Sequence, residues 1–213
     1  MLFPKPEKPS SEPPKESITG AFQRTYFDQD DASERYRREY LRNHRLDRFR
    51  TVCPAEFYEK IDRSKLTNAD AFDAVQKWDG TYPGPLLFGE TSKAKTRAAW
   101  VSLGRLYTRD GLPFEFFTAE RLLRAIEENR NGISHYLDYL RRWSELFFFD
   151  DLHRFNTAFE SQGMALAQVY DWIYRNHIPA ITTTNKPREW WTQLLGESTA
   201  RRMFDEAHTL INF

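Results

Sequence analysis

Two regimes of hydrophobic patterning divide the chain. From Asp30 to Arg50 charged residues dominate, with Tyr36, Tyr40, Leu41 and Phe49 interspersed, which suits an exposed helix. Pro54 interrupts it. Short helices are predicted over Ala55–Asp62 and Ala69–Trp78, the second because Phe72, Val75 and Trp78 recur at helical spacing. Asp79-Gly80 and Pro83-Gly84-Pro85 then mark a boundary. Beyond it, short apolar runs alternate with amphipathic stretches. The runs predicted as strands are Leu86–Phe88, Phe114–Phe117, Leu146–Phe149, Ala180–Thr183 and Thr209–Phe213. Helices are predicted over Thr96–Tyr107, Ala119–Asn129, Ile133–Arg142, Ala158–Arg175 and a Trp190–Ala207 region. Thr118 can cap the second of these, with Leu122, Leu123 and Ile126 on one face; Leu166, Val169 and Ile173 align in the longest. Strand–helix alternation with continuously apolar strands predicts an α/β fold, a parallel sheet covered on both faces. No internal repeat is visible.

Composition refines this outline. A chain of 213 residues has room for one α/β domain and a smaller N-terminal appendage. We expect a disordered, Pro-rich tail over 1–20, a helical N-terminal region over 21–80 and the main domain over 81–213. Aromatic residues make up 15% of the chain, so ring packing should dominate its core. No apolar run approaches the roughly 20 residues of a membrane helix. Met1–Ser17 also lacks the apolar segment of a signal peptide, so a soluble cytoplasmic protein is expected, with no membrane partner. Lys+Arg and Asp+Glu balance at 31 each, which argues against a protein that simply coats nucleic acid. Cys53 is the only cysteine, which excludes an internal disulfide and a cysteine metal cluster. The histidines (44, 135, 153, 177 and 208) are scattered, without metal-ligand spacing.

The first predicted strand runs directly into Gly89-Glu90-Thr91-Ser92-Lys93-Ala94-Lys95-Thr96 and then into a helix. A phosphate loop needs this context: backbone N–H groups wrap the phosphates, a lysine reaches the outer ones, and a hydroxyl ligates Mg²⁺. Gly89, Lys95 and Thr96 hold the required spacing, while Ala94 stands where the motif has its second glycine. A Cβ there costs on the order of 1 kcal/mol if the loop needs a left-handed residue. Read alone, a polar turn explains the segment equally well.

Further along comes Leu146-Phe147-Phe148-Phe149-Asp150-Asp151. A buried strand of this kind delivers Asp150 to the carboxyl edge of the sheet, where it can hold the Mg²⁺ that Thr96 also touches, leaving Asp151 to polarise the attacking water. A strand ending in a helix cap is the bland alternative. Asn185 ends another predicted central strand, where its amide would meet the γ-phosphate or be a turn residue before Lys186-Pro187. Arg201 and Arg202 precede the last strand, either as a surface pair or with one serving as a finger on a neighbouring subunit's nucleotide.

These segments, LLFGETSKAKTR at Leu86–Arg97, LFFFDDL at Leu146–Leu152, ITTTN at Ile181–Asn185 and GESTARRM at Gly196–Met203, resemble the DnaC/IstB-like ATPases. Those are AAA+ P-loop NTPases related to bacterial replicative-helicase loaders and transposition helpers. The resemblance covers roughly residues 50 to 213 and includes the upstream Cys53-Pro54 pair. It implies a three-layer sandwich with a five-stranded parallel sheet in the order 5-1-4-3-2, and ATP with Mg²⁺ as cofactors. It also implies that residues 89–96 form the nucleotide loop, that Thr96 and Asp150 are the metal residues, and that Asp151, Asn185 and Arg202 carry catalysis. Family loops carry glycine where Ser92 and Ala94 stand here. The chain stops at Phe213, so the helical lid and its sensor-2 arginine are expected to be absent.

The implied function is an ATP-binding protein, in its fullest form an ATPase. It would act as a helicase loader or transposition helper, with a replicative helicase or transposase, single-stranded DNA and further copies of itself as partners. The changed loop motivates an alternative, a nucleotide-binding adaptor that does not hydrolyse. A third expectation concerns Arg35–Arg50, whose arginines interleave with Tyr36, Tyr40 and Phe49 as a nucleic-acid arm would require. Glu34, Glu39 and Asp47 dilute that run, and a solvated helix accounts for it as well.

Overall fold

The computed structural model describes residues 21–58, 66, 68–90, 94–129, 132–154 and 160–213. The tail expected over 1–20, the loop residues Thr91, Ser92 and Lys93, and the later part of the Ala55–Asp62 helix lie outside them. The chain divides into two compact units, one ending at Leu41 and one running from Arg42 to Phe213. The described part of the first belongs to helix α1 (Ala21–Val52), longer than the Asp30–Arg50 span predicted from charge patterning. There Arg38 pairs with Glu34 at 3.0 Å one turn away, and Tyr36 and Tyr40 are exposed.

The second unit is built on five strands, β1 (Gly84–Phe88), β2 (Phe114–Thr118), β3 (Leu146–Asp150), β4 (Ala180–Thr183) and β5 (His208–Asn212). All neighbours run parallel, in the spatial order β2-β3-β4-β1-β5. From the opposite edge this is 5-1-4-3-2. Parallel strands need crossovers, and amphipathic helices supply them. Side chains alternate across the sheet, so each strand feeds two cores. Leu86, Phe147 and Phe149 face one core, with Phe117, Leu166, Tyr170 and Trp191. Leu87, Phe148 and Ile181 face the other, with Phe72, Val75 and Trp100. The fold is therefore a three-layer α/β sandwich. Helices α5 (Ala119–Glu128), α6 (Ile133–Arg141), α7 (Glu160–Arg175) and α8 (Arg188–Leu195) cover the first face, with Ala200 of the short helix that follows α8. On the second lie α3 (Ala69–Lys77) and α4 (Lys95–Arg105), after the short α2 (Ala55–Tyr58).

The aromatic share of the sequence appears as ring packing. Trp100, 1% exposed, meets Phe49 at 5.9 Å, Phe114 at 5.9 Å, Phe116 at 4.8 Å and Phe148 at 5.4 Å. Phe49 thereby anchors the end of α1 in the second core. Thr118 caps α5, as its sequence position predicts, by accepting from the Arg121 N–H at 3.2 Å.

Two helical stretches break where uniform helices were expected. The Trp190–Ala207 region divides into α8, α9 (Glu197–Arg201) and a π-turn over Arg202–Glu206. Gly196, at φ 80° and ψ 155°, leaves helical geometry between the first two. Likewise α4 passes into a π-turn over Leu106–Asp110 that ends at Gly111, φ 79°. Among the described residues no helix is long and apolar enough to cross a membrane.

A buried histidine ties β5 to the sheet. The Met203 carbonyl sits 3.0 Å from His208 Nδ1, so that nitrogen carries the proton and Nε2 accepts from the Thr182 hydroxyl at 3.2 Å. Burial pushes the His208 pKa down from 6.5 to about 4. Below pH 6.5 the unfolded chain therefore takes up a proton that the folded chain refuses, and stability falls until the folded pKa is reached. Thermal unfolding followed from pH 7 to 4 should show this loss, and His208→Gln should flatten that part of the profile. Parallel curves would show that His208 titrates normally.

Candidate phosphate-binding site

The loop between β1 and α4 depends on one glycine at its entry. Gly89 has φ 130°, and a Cβ there would lie 2.3 Å from the Phe213 carbonyl oxygen, so only glycine can leave β1 beside the end of β5. At the far end Ala94 adopts φ 65° and ψ 17°, a left-handed conformation at the N-cap of α4. Thus the backbone takes, with an alanine, the conformation for which a second glycine is the natural residue.

Lys95 and Thr96 then open the helix. Lys95 is 5% exposed, and its ammonium donates to the Gly89 carbonyl at 3.1 Å and the Glu90 carbonyl at 2.6 Å. The lysine therefore folds back inside the loop it follows. An ammonium at a helix N-terminus beside backbone N–H groups is a setting that favours an anion.

Thr96 faces the end of β3. Its hydroxyl donates to Asp150 Oδ1 at 2.9 Å, and the Thr183 hydroxyl of β4 donates to the same oxygen at 2.6 Å. Thr183 in turn accepts from the Asp151 N–H at 2.8 Å. One carboxylate oxygen thus joins α4, β3 and β4. Burial raises the Asp150 pKa, the two hydroxyls oppose the shift, and the Asp151 charge adds to it. A half-buried carboxylate held by neutral donors, beside a hydroxyl, is a donor set suited to a hard cation. Among the described residues no group of three or more His, Cys, Asp or Glu could hold a metal alone. Mg²⁺ takes one or two protein oxygens and completes its shell with phosphate and water, a donor set that the Thr96 hydroxyl and Asp150 carboxylate fit.

The chain turns sharply after β3. Asp151 has φ 52°, and a 3₁₀ turn over Leu152–Arg154 follows. Arg154 approaches Asp151 Oδ2 at 3.2 Å, while His153 Nδ1 lies 4.0 Å from Asp151 Oδ1. Asn185, just past β4, places its amide nitrogen 3.2 Å from His153 Nε2. The strand end beneath it is fixed by the Thr184 hydroxyl, which accepts from the Lys186 N–H at 3.1 Å and the Trp191 indole at 3.2 Å. Burial lowers the His153 pKa, the Asp151 charge opposes that shift, and the cations Arg154, Lys186 and Lys95 add to it.

The described loop residues, Asp150, Asp151 and Asn185 therefore gather at the carboxyl edge of the sheet. Arg202 instead engages α7: its guanidinium pairs with Asp171 and lies 5.5 Å from the Tyr174 ring centre. Arg201 is exposed and pairs with Glu206 at 3.2 Å. Three residues of the cluster escaped the sequence reading. Thr183 was legible as the penultimate threonine before Asn185 but carried no motif. His153 and Arg154 follow the Asp pair closely, yet only the tight turn at Asp151 brings them back over it.

No protein-family model and no curated protein matches the chain. Among solved structures it is similar to the DnaC helicase loader, at 18% identity and a TM-score of 0.56, covering 73% of this chain and 93% of that one. DnaI matches at 14% identity and 0.51, covering 75% and 90%. The replication initiator DnaA, bound to AMPPCP and single-stranded DNA, matches at 14% and 0.53, covering 74% of this chain and 48% of that one. The chain thus spans about half the length of the DnaA chain it matches.

Two substitutions test the local geometry. Ala94→Gly removes a left-handed penalty of about 1–2 kcal/mol and adds about 0.5–1 kcal/mol of unfolded-state freedom. Denaturant unfolding should therefore show a net gain of up to about 1.5 kcal/mol; a clear loss would contradict the left-handed loop. Thr183→Val removes a donor to Asp150 and the acceptor for Asp151, and should cost roughly 1–3 kcal/mol in the same assay. A neutral result would show that the shared oxygen does not organise the site.

Proposed function

On the premise of a DnaC-like AAA+ fold, we propose that this chain binds ATP with Mg²⁺ at the loop of residues 89–96. We further propose that it hydrolyses the nucleotide as a helicase-loader-like or transposition-helper-like factor in DNA replication or mobility. The observation that carries this reading is the 2.9 Å contact between Thr96 Oγ1 and Asp150 Oδ1, one residue after a buried lysine folded into its own loop. Bound Mg²⁺ would supply charge neutralisation at the terminal phosphates.

The protein's own groups have separate tasks in this scheme. The N–H groups that open α4 would meet the phosphates, and Lys95 would exchange two carbonyls for phosphate oxygens. Thr96 and Asp150 would hold the metal. Asp151 would orient a water for in-line attack and take up its proton as the bond from the γ-phosphorus to the ADP oxygen breaks, and Asn185 would donate an amide hydrogen bond to the phosphate or the water. Arg202 would act across a subunit boundary in a homo-oligomer, exchanging Asp171 for a neighbouring phosphate. Single-stranded DNA and a replicative helicase or transposase are the partners this reading assigns. Support comes from likeness to a helicase loader and to an initiator solved with single-stranded DNA.

One feature favours the alternative of a non-hydrolysing adaptor. Arg154 sits on Asp151 Oδ2 at 3.2 Å, where a water-activating carboxylate should be open. ATP turnover, measured with and without single-stranded DNA, separates the two: binding without turnover under both conditions selects the adaptor. For the site itself, Lys95→Ala should weaken ATP binding at least about 100-fold, as expected from losing charge-assisted bonds worth roughly 3 kcal/mol. Unchanged affinity in a calorimetric titration would refute the assignment.

A further inference from the structure

His153 occupies a position that the nucleotide scheme does not use. Its side chain is 16% exposed and lies between two groups from different strands. Nε2 is 3.2 Å from the Asn185 amide nitrogen, which can only donate, so Nε2 accepts and the ring proton resides on Nδ1. That Nδ1 is buried and lacks a hydrogen-bond partner. It faces Asp151 Oδ1 at 4.0 Å, about 1 Å beyond hydrogen-bond reach. The facing carboxylate is meanwhile held on its other oxygen by Arg154 at 3.2 Å. A buried, protonated nitrogen without a partner is costly, and a small movement of one carboxylate would satisfy it.

We propose that His153 is a positioning residue that couples Asn185 to Asp151, so that amide and carboxylate respond together to the γ-phosphate. This rests on the nucleotide reading given above. When Asn185 turns toward a third phosphate, it pulls on Nε2 and carries the ring with it. The Nδ1 proton then closes on Asp151 and competes with Arg154 for it. The imidazole stays neutral throughout and no bond is made or broken. Nucleoside diphosphate, which lacks the third phosphate, leaves the ring where it stands. Discrimination between tri- and diphosphate therefore depends on His153, whereas binding of the common phosphates does not.

Two measurements on the full chain test this. In nucleotide-free protein labelled with ¹⁵N, long-range proton–nitrogen correlation should show His153 as the Nδ1–H tautomer, assigned by its loss in His153→Gln. An Nε2–H tautomer would overturn the proposal whether or not nucleotide binds. In titrations with Mg²⁺–AMPPCP and Mg²⁺–ADP, wild type should prefer AMPPCP. His153→Ala should lose that preference by about 5-fold, as one net hydrogen bond of ~1 kcal/mol predicts, while ADP affinity stays within about 2-fold. His153→Gln, whose carboxamide offers both an acceptor for Asn185 and a donor for Asp151, should retain the preference. Absence of a wild-type preference, an unchanged preference in His153→Ala, or equal losses in both variants would overturn the coupling. Failure of wild type to bind either nucleotide would instead remove the nucleotide reading itself.

Discussion

One oxygen atom, Oδ1 of Asp150, holds the site together. It accepts from Thr96 at 2.9 Å and from Thr183 at 2.6 Å, and through Thr183 it fixes the Asp151 N–H. The start of α4 and the ends of β3 and β4 consequently meet at one point. Each partner arrives by a different route: β3 through four buried apolar residues, β4 through parallel pairing with β3 and β1, and α4 through a loop that Gly89 allows to pass the end of β5. The rest of the fold can be read as the framework that makes these routes converge.

The electrostatics explain why such a point is suited to a ligand. Asp150 is half-buried and desolvation raises its pKa, while Lys95 is buried and donates to two carbonyls. Both groups carry a desolvation cost. A metal beside the carboxylate and a phosphate beside the ammonium would each add a favourable opposite charge.

Much of this was legible in the sequence because the strong signals are local. The triple phenylalanine before Asp150 announces a buried strand, and the apolar run ahead of Gly89 announces a strand that passes through a polar loop into a helix. All five strands form where short apolar runs stand, and the sheet order follows the resemblance. What was not legible depends on backbone geometry or on distant pairing. Gly196 and Gly111 end helices through positive φ, which residue patterning alone does not place. His153 joins the cluster because Asp151 turns at φ 52°, an unusual angle for a residue with a Cβ. Arg202 reads as a residue for a neighbouring subunit, yet its present partners, Asp171 and Tyr174, lie on α7, a long-range contact with no motif.

The central claim is that Asp150 and Thr96 form half of a magnesium site. Calorimetric titration of ATP in excess Mg²⁺, and again in EDTA, tests it most directly when wild type and Asp150→Asn are compared. Magnesium should tighten ATP binding to wild type, and Asp150→Asn should abolish that increment while leaving the metal-free affinity largely intact. Equal wild-type affinity with and without the metal, or an undiminished increment in Asp150→Asn, would contradict the account.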